Sequence, residues 1–76
     1  MEGMKLRQVN LIKTGERIQQ LRKERGLTVR QITDTLGLIP QTYYKWALGN
    51  SIPSIDSLIG LADIFGVKVD DIIVAE

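Results

Sequence analysis

Five short helices and no sheet are expected of this chain, on three observations. Glycines at Gly15, Gly26, Gly37, Gly49 and Gly66 divide it into short pieces. Within those pieces apolar residues repeat at the three-and-four spacing of a helix, and no stretch of any length alternates with period two. The length, 76 residues, allows one small domain. At this size only about 60% of the unfolded surface is buried on folding, so the core must be thin.

The first helix is expected from about Gly15 to Arg25, with Thr14 as N-cap, Glu16 in the first turn and Ile18 and Leu21 facing inward. The second starts at Thr28, whose hydroxyl and the Gln31 amide three residues on can form a capping box; Val29, Ile32 and Leu36 then repeat on one side. Pro40 suits the first position of a third helix, because its missing N–H would have no partner there, and that helix runs to about Leu48. Ser54 caps a fourth, on which Ile55, Leu58, Leu61, Ala62 and Phe65 form a buried stripe. Val67 to Ile73 is read as a fifth short helix or turn, with Asp70 and Asp71 near its positive end.

Inventory excludes several kinds of chemistry. The chain has no cysteine and no histidine, so disulfides, Cys/His zinc sites and His-based triads are out. Asp70 and Asp71 are adjacent, and on a helix their side chains diverge by about 100°, too far to flank one bond as an acid and base pair. No enzyme, cofactor, metal or small-molecule ligand is therefore expected. The apolar run Ile72-Ile73-Val74-Ala75 is far below the roughly 18 residues of a membrane span, and Leu11-Ile12 is too brief for a secretory signal. A cytoplasmic address follows, with no membrane partner.

Charge is uneven along the chain. Residues 1–45 hold nine bases against four acids, net +5, whereas residues 46–76 hold Lys68 against five acids, net −4. Such a dipole suits a polyanion partner, although charged helix surfaces alone would also produce it.

The third helix has two chemically different faces. Tyr43, Trp46 and Ala47 fall on one side; Gln41, Tyr44, Lys45 and Leu48 fall on the other. An amide, a phenol and an ammonium suit base edges and phosphates, since Gln pairs with adenine N6/N7 and Lys reaches guanine O6/N7. Spacing alone ranks a plain solvated face above that reading.

Two short helices joined by Gly37-Leu38-Ile39 have the dimensions of a helix-turn-helix. From Thr14 to Val74 the chain resembles the phage repressor/Cro-like (XRE-type) helix-turn-helix DNA-binding family. The residues that carry the likeness are the run Gly15 to Thr28, Leu36-Gly37, Lys45-Trp46 with Gly49, Pro53-Ser54, Leu61-Ala62 and Phe65-Gly66-Val67. The resemblance implies a compact all-α, five-helix, lambda-repressor-like domain over residues 14–76, with residues 1–13 as an N-terminal extension. That extension is read as a flexible arm, a strand against the C-terminal end, or in part an expression remnant at Met1-Glu2-Gly3.

The resemblance further implies double-stranded DNA as partner, the third helix in the major groove, and a homodimer on a pseudo-palindromic operator. Its base-reading positions fall on Pro40, Gln41, Tyr44 and Lys45, and its backbone positions on Thr42 and Asn50, to which we add Arg30 and then Lys5, Arg7 and Lys13. Ile32, Leu36, Tyr43, Trp46, Leu58 and Phe65 form the core of the motif. Gly60, inside the fourth helix, costs on the order of 1 kcal/mol relative to alanine, which suggests close approach of another backbone and a dimer seam at Ile59, Gly60 and Ile64.

The chain departs from the family pattern at four places. Val29 stands where a phosphate-binding Gln is usual, Ile39 where a hydroxyl cap is usual, and Pro40 where a polar reader is usual. Ala47 replaces a glutamate that would pair with Arg22, leaving Arg22 to find another acceptor or water. These changes motivate the alternative of a protein-interaction or antitoxin-like accessory module on the same fold, with little reading of DNA.

Overall fold

The computed structural model describes residues 3–76; Met1 and Glu2, on which part of the remnant reading falls, lie outside the described residues. Among the described residues there are four α-helices, α1 (Leu11–Glu24), α2 (Val29–Leu36), α3 (Pro40–Ala47) and α4 (Ile55–Phe65), followed by a single 3-10 turn, Val69–Asp71. The expected fifth helix is thus corrected to one turn. Asp71 closes that turn by accepting from the Lys68 backbone N–H at 3.0 Å, and the chain beyond it leaves extended to bond with residues 8–10. Pairing with a distant segment takes up backbone groups that a longer helix would have used.

α1 also begins a turn earlier than expected. Asn10, and not Thr14, is the N-cap, accepting from the Lys13 N–H at 2.9 Å. Thr14 sits inside the helix, buried, where its hydroxyl oxygen accepts from the Val74 N–H at 3.0 Å. Glu16 therefore lies beyond the first turn. Leu11, Ile12 and Lys13 are all exposed, so this turn adds nothing to the apolar stripe that periodicity detects.

The other starts follow local chemistry. Thr28 Oγ1 accepts from the Gln31 N–H at 3.0 Å while Gln31 Oε1 accepts from the Thr28 N–H at 2.8 Å, a complete capping box. Gly37 ends α2 at φ 71°, a left-handed conformation that side chains other than glycine rarely adopt, and so turns the chain toward α3. Ser54 caps α4 by accepting from the Ser57 N–H at 3.1 Å.

An antiparallel bridge joins Val9 to Ala75, flanked by Gln8–Glu76 backbone bonds in both directions and by Asn10 N–H to Val74 O at 2.7 Å. Side chains reinforce it: Lys13 pairs with the Glu76 carboxylate, and Asn10 donates to the same group. Of the fates left open for the extension, residues 8–10 take the strand-like one, and residues 11–13 are helical.

The core joins Ile18 and Leu21 of α1, Ile32 of α2, Tyr43 and Trp46 of α3, Leu58, Leu61, Ala62 and Phe65 of α4, and Ile72. Leu36 is half-buried against it. Ile55 was expected in the buried stripe but is 76% exposed. It holds the first position of α4, and a side chain there tilts toward the N-terminus, away from the body of the helix. Gly60 lies against α2: an added Cβ would fall on Leu36 Cδ2, so the close approach that glycine permits is made inside the chain. Among the described residues no helix is long and apolar enough to cross a membrane.

Candidate nucleic-acid interface

The position of α3 is set by what lies beneath it. Tyr43 is fully buried and Trp46 nearly so, with ring centroids 6.1 Å apart at an interplanar angle of 61°. The Tyr43 hydroxyl donates to Gln19 Oε1 at 2.6 Å and accepts from Arg22 Nε at 3.1 Å. Burial pushes the Tyr43 phenol above its ordinary pKa, partly offset by the Arg22 hydrogen bond, so it stays neutral and able to donate. Arg22 also donates from Nε to Gln19 Oε1 at 3.1 Å and from Nη1 to the Leu27 carbonyl at 2.9 Å. With Ala47 offering no carboxylate, these three acceptors are the ones Arg22 finds.

A second constraint acts at Gly15. An added Cβ would fall on the Trp46 carbonyl oxygen and within 2.8 Å of that of Ala47. The backbones of α1 and α3 cross here at a separation only glycine allows. Gly15 is therefore a crossing point inside α1, where the sequence suggested a helix start. Rotation of α3 about its own axis is opposed by the two buried rings on one flank and by this contact.

With that flank fixed, the opposite one faces out. Pro40, Gln41, Tyr44 and Lys45 are all exposed, Thr42 is half-buried, and Asn50 is exposed in a loop whose backbone is tied by Asn50 N–H to Lys45 O at 2.9 Å. The Tyr44 ring rests edge-on against Tyr43, centroids 5.7 Å apart, and the residue is about half exposed. Ile39 makes no side-chain cap bond, so the start of α3 relies on Pro40 at its first turn and on Thr42 N–H bonding Ile39 O at 3.0 Å. The outward surface thus offers an amide, a phenol and an ammonium on a helix held rigidly from behind.

Arg30 is exposed on α2 and lies 3.8 Å from Asp34, an exposed pair that contributes little and leaves the guanidinium available. Other bases are engaged elsewhere. Arg25 Nε donates to the Phe65 carbonyl at 2.7 Å, satisfying the end of α4, and Arg17 Nε donates to the Asp71 carbonyl at 2.8 Å. Lys13, a candidate for phosphate, is paired with Glu76. Gln19 carries no sequence signal for its role: only the packing of α1 on α3 brings it to Tyr43. Ile59 is half exposed on α4, whereas Ile64 packs against the core.

Comparison with known proteins agrees with this fold. A family profile for the helix-turn-helix domain matches residues 15–74. The chain is 34% identical over 56 residues to the SPbeta prophage-derived HTH-type transcriptional regulator YonR of Bacillus subtilis, a match covering 74% of this chain and 52% of that protein. It thus spans about half the length of the curated relatives it matches. Its fold superposes on the restriction-modification controller protein C.AhdI of Aeromonas hydrophila with a TM-score of 0.74 at 22% identity, covering 82% of this chain and 94% of that one. A transcriptional regulator from Listeria innocua gives a TM-score of 0.73 at 29% identity, over 91% of this chain and 60% of that one. By motif, by fold and by relatives, the chain belongs to the phage-repressor-like (XRE-type) helix-turn-helix domain family.

Proposed function

We propose that this domain binds double-stranded DNA as a sequence-specific transcriptional regulator of the cytoplasm, with α3 in the major groove. Pro40, Gln41, Tyr44 and Lys45 meet base edges, while Arg30, Thr42 and Asn50 meet the phosphate backbone. One observation carries the reading: α3 buries Tyr43 and Trp46 and turns Gln41, Tyr44 and Lys45 to solvent. A rigid helix with donors and acceptors outward is what direct readout requires.

We infer further that the domain acts as a homodimer on a pseudo-palindromic site. The outward face of α4 supports this, because Ile55 and Ile59 are exposed on it one turn apart, whereas Gly60 and Ile64 of the expected seam lie against Leu36 and the core. Two copies related by a dyad would put their α3 helices in grooves about 34 Å apart.

Selection of bound sites from a random duplex library at physiological salt tests both statements. An enriched palindrome with half-sites about one helical turn apart is the expected result. Failure to enrich any sequence, together with co-purification of a fixed protein partner, would favour the interaction-module reading instead.

A further inference from the structure

The outward face of α3 is itself divided lengthwise. Residues four apart form ridges on a helix surface. Gln41 and Lys45 make one ridge; Pro40 and Tyr44 make a parallel one that runs on to Leu48, the C-cap, and Ile39, the extended N-cap, directly precedes Pro40. The first is polar and the second apolar. Ile39 is 61% exposed, Tyr44 47% and Leu48 69%; Ile39 and Leu48 stand clear of the core, unlike Leu38 and Ala47 beside them, and Tyr44 touches it only through the edge-on contact with Tyr43.

Apart from the Tyr44 contact with Tyr43, the apolar ridge has no partner among the described residues. At Ile39 it costs the helix something, because the N-cap position is where a hydroxyl or carboxamide side chain would satisfy a free N–H, and Ile39 makes no such bond. The major groove offers a matching pair of surfaces. An A·T pair presents the adenine N7 and N6 groups on one strand and, beside them, the thymine C5-methyl on the other. That methyl is the apolar feature of the groove floor.

We propose that Ile39, Pro40 and the Tyr44 ring read thymine methyl groups on one strand while Gln41 meets the adenine edges of the other. The half-site is then rich in A·T pairs, with thymines on the strand that faces the Ile39 end of α3. Leu48 continues the ridge toward the sugar-phosphate wall. This inference rests on the DNA-binding reading above and adds to it the class of base that is recognised.

The test uses the whole chain and the duplex it enriches from a random library, resynthesised with uracil in place of each thymine in turn. Removing a contacted methyl should weaken binding about fourfold, the equivalent of the ~0.8 kcal/mol for one buried CH₂. The variant Ile39→Ser supplies the missing cap, so it should fold at least as well as the parent, yet lose most of the thymine-over-uracil preference at the position Ile39 meets. A flat uracil scan on a duplex whose binding Gln41→Ala weakens would overturn methyl reading and leave DNA reading intact. Enrichment of no duplex would overturn both. A lower molecular mass for Ile39→Ser than for the parent in the absence of DNA would show that a second copy covers the ridge, and would also overturn the proposal.

Discussion

Arg22 Nε donates to the Tyr43 hydroxyl oxygen at 3.1 Å, and that hydroxyl donates to Gln19 at 2.6 Å, so α1 holds α3 through a polar contact set in an otherwise apolar junction. Removing the hydroxyl takes one partner from Arg22 Nε and one from Gln19 Oε1, which still bond each other at 3.1 Å. Tyr43→Phe should therefore lower stability by about 0.5–1.5 kcal/mol, the net worth of a typical hydrogen bond, read as a shift of the urea midpoint with an unchanged slope. A variant as stable as the parent would mean that this contact does not hold α3.

The crossing at Gly15 makes a sharper prediction. Gly15→Ala improves helix propensity, and on an exposed helix it would stabilise. Here the methyl meets two carbonyl oxygens of α3, so the variant should instead be destabilised by about 1–3 kcal/mol, as overpacked sites are. Thermal melting decides the sign, and a raised melting temperature would show that the helices separate at little cost.

On DNA, residues of the two classes should respond differently. Gln41→Ala and Lys45→Ala should each cost about 1–3 kcal/mol on an enriched site and relax the base preference there. Arg30→Ala should weaken all duplexes alike and reduce the slope of log affinity against log salt by about one. Titrations on specific and scrambled duplexes at several salt concentrations separate these outcomes.

The ribbon between residues 8–10 and 74–76 should respond to pH at both ends. The Lys13 ammonium and Asn10 amide beside Glu76 hold its carboxyl below the ordinary 4.5, so its contribution is present above that value and lost as pH falls through the lowered one. Glu76 raises Lys13 above its ordinary 10.5, so that contribution is complete below 10.5 and lost as pH rises past the raised value. Both side chains are little more than half exposed and form a surface pair, so the effect on global stability is small. An NMR titration of the Glu76 carboxyl should give a midpoint below that of an ordinary glutamate, moving up in Lys13→Ala; equal midpoints would show that the pair does not form in solution.

Features written into adjacent residues were legible in the sequence. The Thr28–Gln31 capping box, the Ser54 cap, Pro40 at the head of α3 and the inward Tyr43 and Trp46 each depend on spacings of a few residues, and periodicity exposes them. What escaped depends on distant partners. The Asn10 cap carries no apolar signal because the turn it starts is exposed, and that turn is tied down by residues sixty or more positions away. Asp70 and Asp71 resemble a helix start, but the segment after them is drawn off to pair with residues 8–10, and one turn is all that forms. Gln19 and Gly60 take their meaning from Tyr43 and Leu36, contacts that only the packing of helices creates.

The outward face of α3 is where the account is most directly tested. An NMR titration of the whole chain with its enriched duplex should move the Gln41 side-chain amide, the Tyr44 ring and the Lys45 resonances together, with intermolecular contacts to bases, while the buried Trp46 indole stays nearly fixed. Saturation of binding with those three side chains undisturbed, and the shifts gathered elsewhere on the surface, would contradict it.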